Sequence, residues 1–485
     1  MYTIKKPVTT AILAVASLLH FACGVSTEAQ ESRSSQSLEY ELALQRGTQA
    51  VIWGLPAVSM KAFCGSMQTQ LGAKDNDIIV FSKPMVSRHG FLTANNNVPY
   101  VAVCLNTKGG PMVLDVPAAS ETTMFFGSIL DLWQTPIADV GPSGDDKGKG
   151  GKYLFLPPGY TGTVPRGYLV YRPDTYTLPV ALRPVSKPGG TLEEAVAYAK
   201  TLRVYSLKDA ANPPSNRYID PWPKAWNTLP AYDETYFEQL AEVINDEPVL
   251  ERDLAMMGQL WSIGIRKGQS FKPEGDIAKA LKQAINTGYD ILQDRFVTPG
   301  GAFKTYGSGT QWLTFNISKK QAEEGFPFMT PDRLLVDDRA VLYFWATFFP
   351  KHLGGGSDYL MGLRDKNGDL FDGKSLYRLK VPKEVPARNF WSAIAYSMKT
   401  KGFITNTKPV GLSSLDKHLK ANADGTKDIY FGPKPPKGME SNWIQTGEDW
   451  FMIFRLYGPG KSVLEQTWKL PDVEKTVIGR KIWTP

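Results

Sequence analysis

Few of the residue types that form metal centres and nucleophilic sites occur in this sequence. The 485 residues include three cysteines and four histidines. No two histidines stand at the spacing of metal ligands, and no C-x-x-C pair occurs. The catalytic signatures G-x-S-x-G and H-E-x-x-H are also absent. The sequence therefore predicts no metal site and no cofactor, and it leaves open whether the chain is an enzyme.

The sequence also lacks concentrated positive charge and a long apolar run. The net charge is +7, with 55 basic and 48 acidic residues dispersed along the chain, whereas a nucleic-acid surface needs clustered lysine and arginine. The apolar stretch near the N-terminus falls short of the ~20 residues that cross a bilayer. We therefore expect neither a nucleic-acid partner nor a membrane span.

The N-terminus has the features of an export signal. Two lysines precede an apolar run that ends at Cys23, and small residues around Ala29 offer a cleavage site. We predict a signal peptide over residues 1–29, a disordered linker over 30–36, and a periplasmic or secreted protein. A lipid anchor at Cys23, as in a lipoprotein, is one alternative. An apolar N-terminal helix of a cytosolic protein is the other.

The two remaining cysteines allow two interpretations. In an oxidising compartment Cys64 and Cys104 could form one disulfide bond. Cys104 also lies in an apolar, strand-like run, where a buried free thiol packs like a small apolar side chain. The sequence leaves both alternatives open.

The spacing of apolar residues changes along the chain from a helical to a strand-like period. A helical pattern over residues 37–61 is interrupted at Gly54-Leu55-Pro56. Short apolar runs separated by Gly- and Pro-containing turns then fill residues 77–188, which indicates an antiparallel sandwich or barrel. The capping box formed by Thr191 and Glu194 begins a helical region.

Strand patterns return in the last part of the chain, where residues 450–456 are apolar at nearly every position, as in a strand covered on both faces. The predicted fold class is α+β and β-dominated, with two antiparallel β-sandwich or jelly-roll-like domains and a helical middle segment. The predicted domains are an N-terminal β-rich domain (37–190), a helical connecting segment (191–297) and a C-terminal β-sandwich domain (298–485).

One segment matches the phosphate-binding loop G-x-x-x-x-G-K-S by letters alone. Such a loop must run into a helix whose N-terminus faces the phosphate. Residues 368–375 contain two aspartates, Asp369 and Asp372, and the alternating residues that follow predict a strand. We interpret the segment as a turn leading into a strand.

A polar cluster precedes one of the apolar runs. Asn95, Asn97 and Tyr100 lie within six residues, and each amide offers a donor and an acceptor to a ligand. The alternative is a turn in which the amides bond their own backbone.

Several blocks of the sequence resemble a bacterial two-domain family known as domain of unknown function 1254, N-terminal, and 1214, C-terminal. The family motif N-x-D-T-x-Y corresponds to residues 95–100, with Asn97 and Val98 in place of its Asp and Thr. The C-terminal likeness rests on Phe390-Trp391-Ser392 and on residues 455–459. The resemblance implies two β-rich, sandwich-like domains and no established reaction, cofactor or catalytic residue.

Three functions remain as hypotheses. The first is recognition of a small polar or carbohydrate-like ligand in a cleft lined by Asn95, Asn97, Tyr100, Asp131 and Trp133. The second is a hydrolase or lyase of envelope or polysaccharide substrates, with His89 and Asp131 as weak catalytic candidates. The third is a structural envelope protein that assembles as a homo-oligomer.

Overall fold

A computed structural model describes residues 37–298, 300–324, 328–353 and 356–476. The predicted signal peptide, the candidate lipid anchor at Cys23 and the predicted linker lie outside the described residues. The helices of the described part are α1 (Leu38–Leu71), α2 (Leu192–Ala199), α3 (Thr235–Asp246), α4 (Leu254–Ser262), α5 (Gly275–Val297), α6 (Lys319–Glu323), α7 (Val336–Trp345) and α8 (Lys461–Leu464).

The first half of the chain forms a β-sandwich, termed here the first sandwich. Its strands are β1 (Ile78–Val80), β2 (Val101–Asn106), β3 (Met112–Val116), β4 (Thr123–Leu130), β5 (Pro136–Val140), β6 (Gly151–Phe155), β7 (Leu169–Tyr171), β8 (Thr177–Ser186), β9 (Arg203–Ser206) and β10 (Tyr218–Ile219). A six-stranded sheet has the order β10-β1-β2-β8-β4-β5, and a four-stranded sheet has the order β7-β6-β3-β9. One apolar core joins the two sheets.

The C-terminal part repeats this arrangement in the second sandwich. Its strands are β11 (Phe303–Thr305), β12 (Leu313–Phe315), β13 (Ser357–Gly362), β14 (Leu376–Val381), β15 (Ala387–Ser397), β16 (Gly411–Ser413), β17 (Lys427–Gly432), β18 (Trp443–Gln445), β19 (Trp450–Pro459) and β20 (Glu474–Thr476). The sheet orders are β11-β12-β13-β19-β15-β16 and β18-β17-β14-β20. Most strand pairs are antiparallel, and a second apolar core lies between these two sheets.

A helical layer packs against both sandwiches. Helix α1 contacts α3, α4, α5 and α7, and every residue from 50 to 60 is buried. A helix that is apolar on all sides belongs in a core because no face can remain in water. By length and composition α1 could also cross a bilayer, but 78% of its most apolar window is buried inside the protein, which is typical of a core helix.

The predicted interruption of the first helix is wrong, because α1 continues through Pro56. Proline removes one backbone donor and displaces the carbonyl four residues earlier. Neighbouring carbonyls find donors from other helices: the Tyr236 hydroxyl donates to Val51 O at 2.6 Å, and Arg339 Nη2 donates to Trp53 O at 3.0 Å. Tertiary packing therefore holds the helix through its proline.

Several other sequence predictions are confirmed. The α+β class with antiparallel sandwiches agrees with the sheets, and the Thr191–Glu194 capping box begins α2. Strand β19 is buried at every position. Residues 368–375 run into strand β14 rather than a helix. Of the two alternatives for the cysteines, the structure has the disulfide, which joins Cys64 on α1 to Cys104 on β2.

Candidate functional site

A cavity of about 370 Å³ lies between the six-stranded sheets of the two sandwiches. Strands β2, β4, β5 and β8 of the first sandwich contribute to one wall, and strands β11, β12, β13 and β19 of the second contribute to the other. The loops that follow β1, β5 and α7 also contribute, together with Phe63 of α1 and Leu464 of α8. The volume falls within the ~300–1,000 Å³ that small-molecule sites occupy.

Strand alternation places Arg183 at this cavity. Successive residues of a strand point to opposite faces of the sheet. Leu178, Val180 and Leu182 enter the core of the first sandwich, so Ala181 and Arg183 face the other way and line the cavity. The Arg183 side chain is enclosed by protein but keeps partial exposure to the cavity.

The same alternation places Arg455 on the opposite wall. The residues of β19 that flank it, Phe454 and Leu456, enter the core of the second sandwich, while Ile453 and Arg455 line the cavity. Arg455 is 4% exposed. Its Nη2 donates to Thr93 O at 2.6 Å, and its buried Nη1 has no hydrogen-bond partner among the described residues.

Tyrosines rather than carboxylates surround the two guanidiniums. Arg455 lies over the rings of Tyr359 and Tyr396, at 5.3 and 5.4 Å from their centroids. Arg183 contacts the Tyr359 hydroxyl, and Tyr359 is the strand neighbour of Arg455 in β13. Within the described part of the chain, neither arginine forms an ion pair with a carboxylate.

The electrostatics of the cavity follow from this arrangement. Burial lowers the pKa of a guanidinium, but the surrounding tyrosines outweigh burial and raise the pKa of Arg183 and of Arg455. Burial raises the pKa of a phenol, yet the two cations outweigh it and lower the pKa of Tyr359. Both arginines therefore remain charged, and neither guanidinium is paired with a carboxylate among the described residues.

Aromatic side chains form a substantial part of the apolar lining. Rings from both sandwiches and from the loops surround the space, namely Phe81, Phe91, Phe126, Phe315, Trp345 and Phe348. Such rings offer flat apolar surface that packs against hydrocarbon. The cavity thus combines an apolar volume with two fixed cations.

A carboxylate–histidine pair also lines the cavity. Asp139 Oδ2 accepts hydrogen bonds from His352 Nδ1 at 3.0 Å and from the His352 backbone N–H at 2.7 Å. Asp139 Oδ1 accepts from the Ser128 hydroxyl at 2.7 Å. The Asp139 side chain is 7% exposed and that of His352 is 28% exposed. Three donors therefore fix the carboxylate, while the imidazole retains access to the cavity.

The predicted ligand residues separate into two groups in the structure. Tyr100 lines the cavity, and Asn95 supports it, because Asn95 N–H donates to the Tyr100 hydroxyl at 3.2 Å. Asn95 Oδ1 accepts from Asn97 N–H at 2.6 Å, as in an Asx turn. Asn97 Oδ1 is buried without a partner among the described residues. Asn95 and Tyr100 thus meet at the cavity edge.

Asp131 and Trp133 lie elsewhere, against the helical layer. Trp133 packs on Trp53 of α1 with ring centroids 4.6 Å apart. Asp131 accepts a hydrogen bond from Thr135 N–H at 2.7 Å, and burial raises the pKa of its carboxyl to about 6. Neither residue lines the cavity.

His89 occupies a third location and has no free ring nitrogen. Its Nδ1 accepts from Val86 N–H at 3.0 Å, and its Nε2 lies 3.2 Å from Trp222 O. The ring is 1% exposed, and burial lowers its pKa. These contacts favour a structural role.

Sequence reasoning missed the two arginines and the Asp139–His352 pair. A signal for Arg455 was present, because it is the one charged residue between Trp450 and Leu456 in an otherwise apolar strand. Arg183 likewise follows the apolar run of β8. No comparable signal marks His352, since its partner lies 213 residues earlier.

Two known protein families match separate parts of the chain. Residues 76–206 match the family described as protein of unknown function DUF1254, and residues 356–461 match the one described as protein of unknown function DUF1214. The chain carries both domains, in that order. The DUF1254 region contributes Asp139 and Arg183 to the cavity, and the DUF1214 region contributes Tyr359 and Arg455.

One solved structure supports the fold of this chain. The VPA0106 protein from Vibrio parahaemolyticus is similar, with a TM-score of 0.55 and 17% identity, over 90% of this chain and 100% of that chain. An uncharacterized protein from Burkholderia cenocepacia has a TM-score of 0.36 and 10% identity, over 90% and 94% of the two chains. No curated protein matches.

Proposed function

We propose that this protein binds a small organic anion with an apolar body in the cavity between the DUF1254 and DUF1214 regions, outside the cytosol. The observation that carries the proposal is the presence of Arg183 and Arg455 on opposite walls, without an ion pair to any carboxylate in the described residues. Of the five residues predicted to line a ligand cleft, Tyr100 lines this cavity, and the proposal changes both the location of the cleft and the expected chemistry of its ligand.

Burying the guanidinium groups of Arg183 and Arg455 costs free energy. A buried charge without a counter-charge is strongly unfavourable, because desolvation is not compensated by attraction to a partner. The tyrosine rings and the Thr93 carbonyl supply part of this compensation. A ligand carboxylate would supply the rest, since guanidinium donors match its two oxygens in a planar, bidentate geometry.

The apolar lining of the cavity favours a ligand whose body is apolar. A sugar has hydroxyls around its ring and would leave few of them paired against the phenylalanines of this cavity. A neutral sugar would also leave the positive charges of Arg183 and Arg455 without a counter-charge. An alkyl or aryl carboxylate fits both properties, because its body packs against the rings and its charge meets the guanidiniums.

Two observations support a location outside the cytosol. Disulfide bonds persist in oxidising compartments and are rare in the cytosol, and this chain has the Cys64–Cys104 bond. The N-terminal sequence has the composition of a signal peptide. Location is testable by fractionating the producing cells and sequencing the N-terminus of the processed protein.

Titration calorimetry with matched compounds tests the binding proposal. Octanoate has both a carboxylate and an apolar body. Its methyl ester keeps the apolar body without the charge, and glucose has neither. We expect octanoate to bind and the other two to bind at least about tenfold more weakly, because a hydrogen bond to a charged group contributes about 1.5–3 kcal/mol. Arg455→Met and Arg183→Met should each weaken octanoate binding by a similar factor.

Arg217→Met provides a matched control, because Arg217 forms a surface ion pair with Asp77 away from the cavity. It should leave octanoate affinity unchanged. Equal affinities for octanoate and its ester, or loss of binding in the control alone, would contradict the proposal. Tight glucose binding would restore the carbohydrate hypothesis.

A further inference from the structure

We infer that the cavity hydrolyses esters, with His352 as the general base and Asp139 as the residue that positions it. The inference rests on the proposed function, because the substrate is taken to be an ester that also has an anionic group. It goes beyond binding by assigning chemistry to the Asp139–His352 pair.

The hydrogen bonds around Asp139 determine which imidazole nitrogen is basic. A carboxylate accepts hydrogen bonds, so His352 Nδ1 donates its proton to Asp139 Oδ2 over 3.0 Å. Nε2 then has the lone pair. Among the residues that the structure describes, Nε2 has no hydrogen-bond partner, and His352 lines the cavity. The pair therefore presents an oriented base to whatever occupies the cavity.

The pairing of strands shows where Asp139, the partner of the base, lies relative to Arg183. Asp139 pairs with Ser128, and Ser128 pairs with Ala181, so these residues share one face of the sheet. Arg183 lies on the same face, two residues beyond Ala181. Two strand spacings of about 4.8 Å therefore separate the strand of Asp139 from the strand of Arg183. Ser128, on the strand between them, and Ala181 have small side chains that line the cavity and leave room for a substrate.

Water is the nucleophile that this arrangement favours. No serine or cysteine in the described chain forms a hydrogen bond to His352 Nε2, so no side-chain nucleophile is paired with the base. The His352 side chain is 28% exposed and lines the cavity, so water can reach the imidazole. A general base aligned in this way typically contributes 10²–10⁴-fold in rate, as an order of magnitude.

The hydrolytic step balances with water as the only co-reactant. Nε2 removes a proton from water while the water oxygen forms a bond to the ester carbonyl carbon. The carbonyl π electrons move to oxygen and give a tetrahedral oxyanion. When the oxyanion collapses, the bond to the alkoxy oxygen breaks, and the departing alcohol takes the proton from Nε2. The new carboxylic acid then releases its proton to solvent.

The test uses the full-length protein and 4-nitrophenyl hemiesters of dicarboxylic acids with four to ten carbons, which have one free carboxylate and one scissile ester. Matched neutral methyl 4-nitrophenyl diesters control for charge. We expect turnover of the hemiesters above the rate in buffer, a loss of about 100-fold in kcat for His352→Ala, and partial recovery of that variant with added imidazole. His418→Ala, a change at an exposed residue away from the cavity, should retain full activity.

The variant Asp139→Asn tests whether Asp139 orients the imidazole of His352. We expect kcat to fall at least about tenfold with an unchanged KM, because the substrate anchor is intact while the base is misoriented. Absence of turnover by the natural chain, or undiminished turnover in His352→Ala, overturns the hydrolytic inference. Octanoate binding measured on the same samples shows whether the proposed binding function survives. Turnover that is insensitive to Arg183→Met and equal for the diesters contradicts the anion site instead.

Discussion

The side-chain amide of Asn95 donates a hydrogen bond to the hydroxyl of Tyr457, across the junction between the two sandwiches. Asn95 precedes β2 of the first sandwich, and Tyr457 belongs to β19 of the second. The backbone N–H of Asn95 also donates to the Tyr100 hydroxyl. One turn residue therefore binds two tyrosines, of which Tyr100 lines the cavity, and connects the two halves of the chain.

Removing this amide should destabilise the protein. Asn95→Ala leaves the buried Tyr457 hydroxyl without its donor, and we expect the free energy of unfolding to fall by about 1–3 kcal/mol. Urea unfolding followed by fluorescence measures the change. Asn97→Ala is the control, because its Oδ1 has no partner in the described structure; equal losses in the two variants would contradict the role assigned to Asn95.

Filling the cavity should weaken ligand binding and leave the fold intact. Ala181→Leu adds volume on the cavity face of β8, and we expect octanoate affinity to fall more than about tenfold with unfolding free energy changed by less than about 1 kcal/mol. Ala138→Leu is the matched contrast, because Ala138 is fully buried in the core of the first sandwich and overpacking costs about 1–3 kcal/mol. Calorimetry and urea unfolding on both variants would separate the two faces.

The disulfide should contribute substantially to stability. It joins residues separated by 40 positions, and constraining a loop of that length in the unfolded chain is worth about 3–4 kcal/mol. The double variant Cys64→Ala/Cys104→Ala should therefore unfold at lower urea than the oxidised natural chain. Reductant should lower the midpoint of the natural chain and leave the variant unaffected; a reductant effect on both would refute this origin.

Asp131 should make stability depend on pH. Burial raises the pKa of its carboxyl to about 6 in the folded state, against about 3.9 when unfolded. The folded state binds the proton more tightly, so protonation favours folding as pH falls from above 6 towards 4.

Between pH 7 and pH 4, the free energy of unfolding of the natural chain should therefore gain about 2 kcal/mol relative to Asp131→Asn, because each pKa unit is worth about 1.4 kcal/mol and the unfolded carboxyl is already partly protonated at pH 4. Urea unfolding of both proteins at each pH measures the difference. Parallel pH dependences would show that Asp131 does not titrate in this range.

Local patterns in the sequence predict much of the fold. Alternating apolar residues predict the strands because each sandwich buries one face of every sheet, and the Thr191–Glu194 box predicts the start of α2 because both groups lie within one turn. Pro56 misleads because its effect on α1 is offset by Tyr236 and Arg339, far away in sequence. Local propensity cannot report such distant donors.

The site is less predictable for a similar reason. Asn95 and Tyr100 are close in sequence and both reach the cavity region, so a local pattern located them. The contacts of Arg455 with Thr93 and of His352 with Asp139 join residues 362 and 213 positions apart. Only the register of the sheets brings these groups together, and one sequence read locally does not contain that register.

The placement of Arg183 on one sandwich and Arg455 on the other has a consequence for dissection of the chain. A fragment holding either half alone would retain one cation and one wall, with the aromatic side chains of that wall open to water. The complete cavity exists only when both halves pack together, so splitting the gene between them should abolish the proposed octanoate binding even where each product still folds.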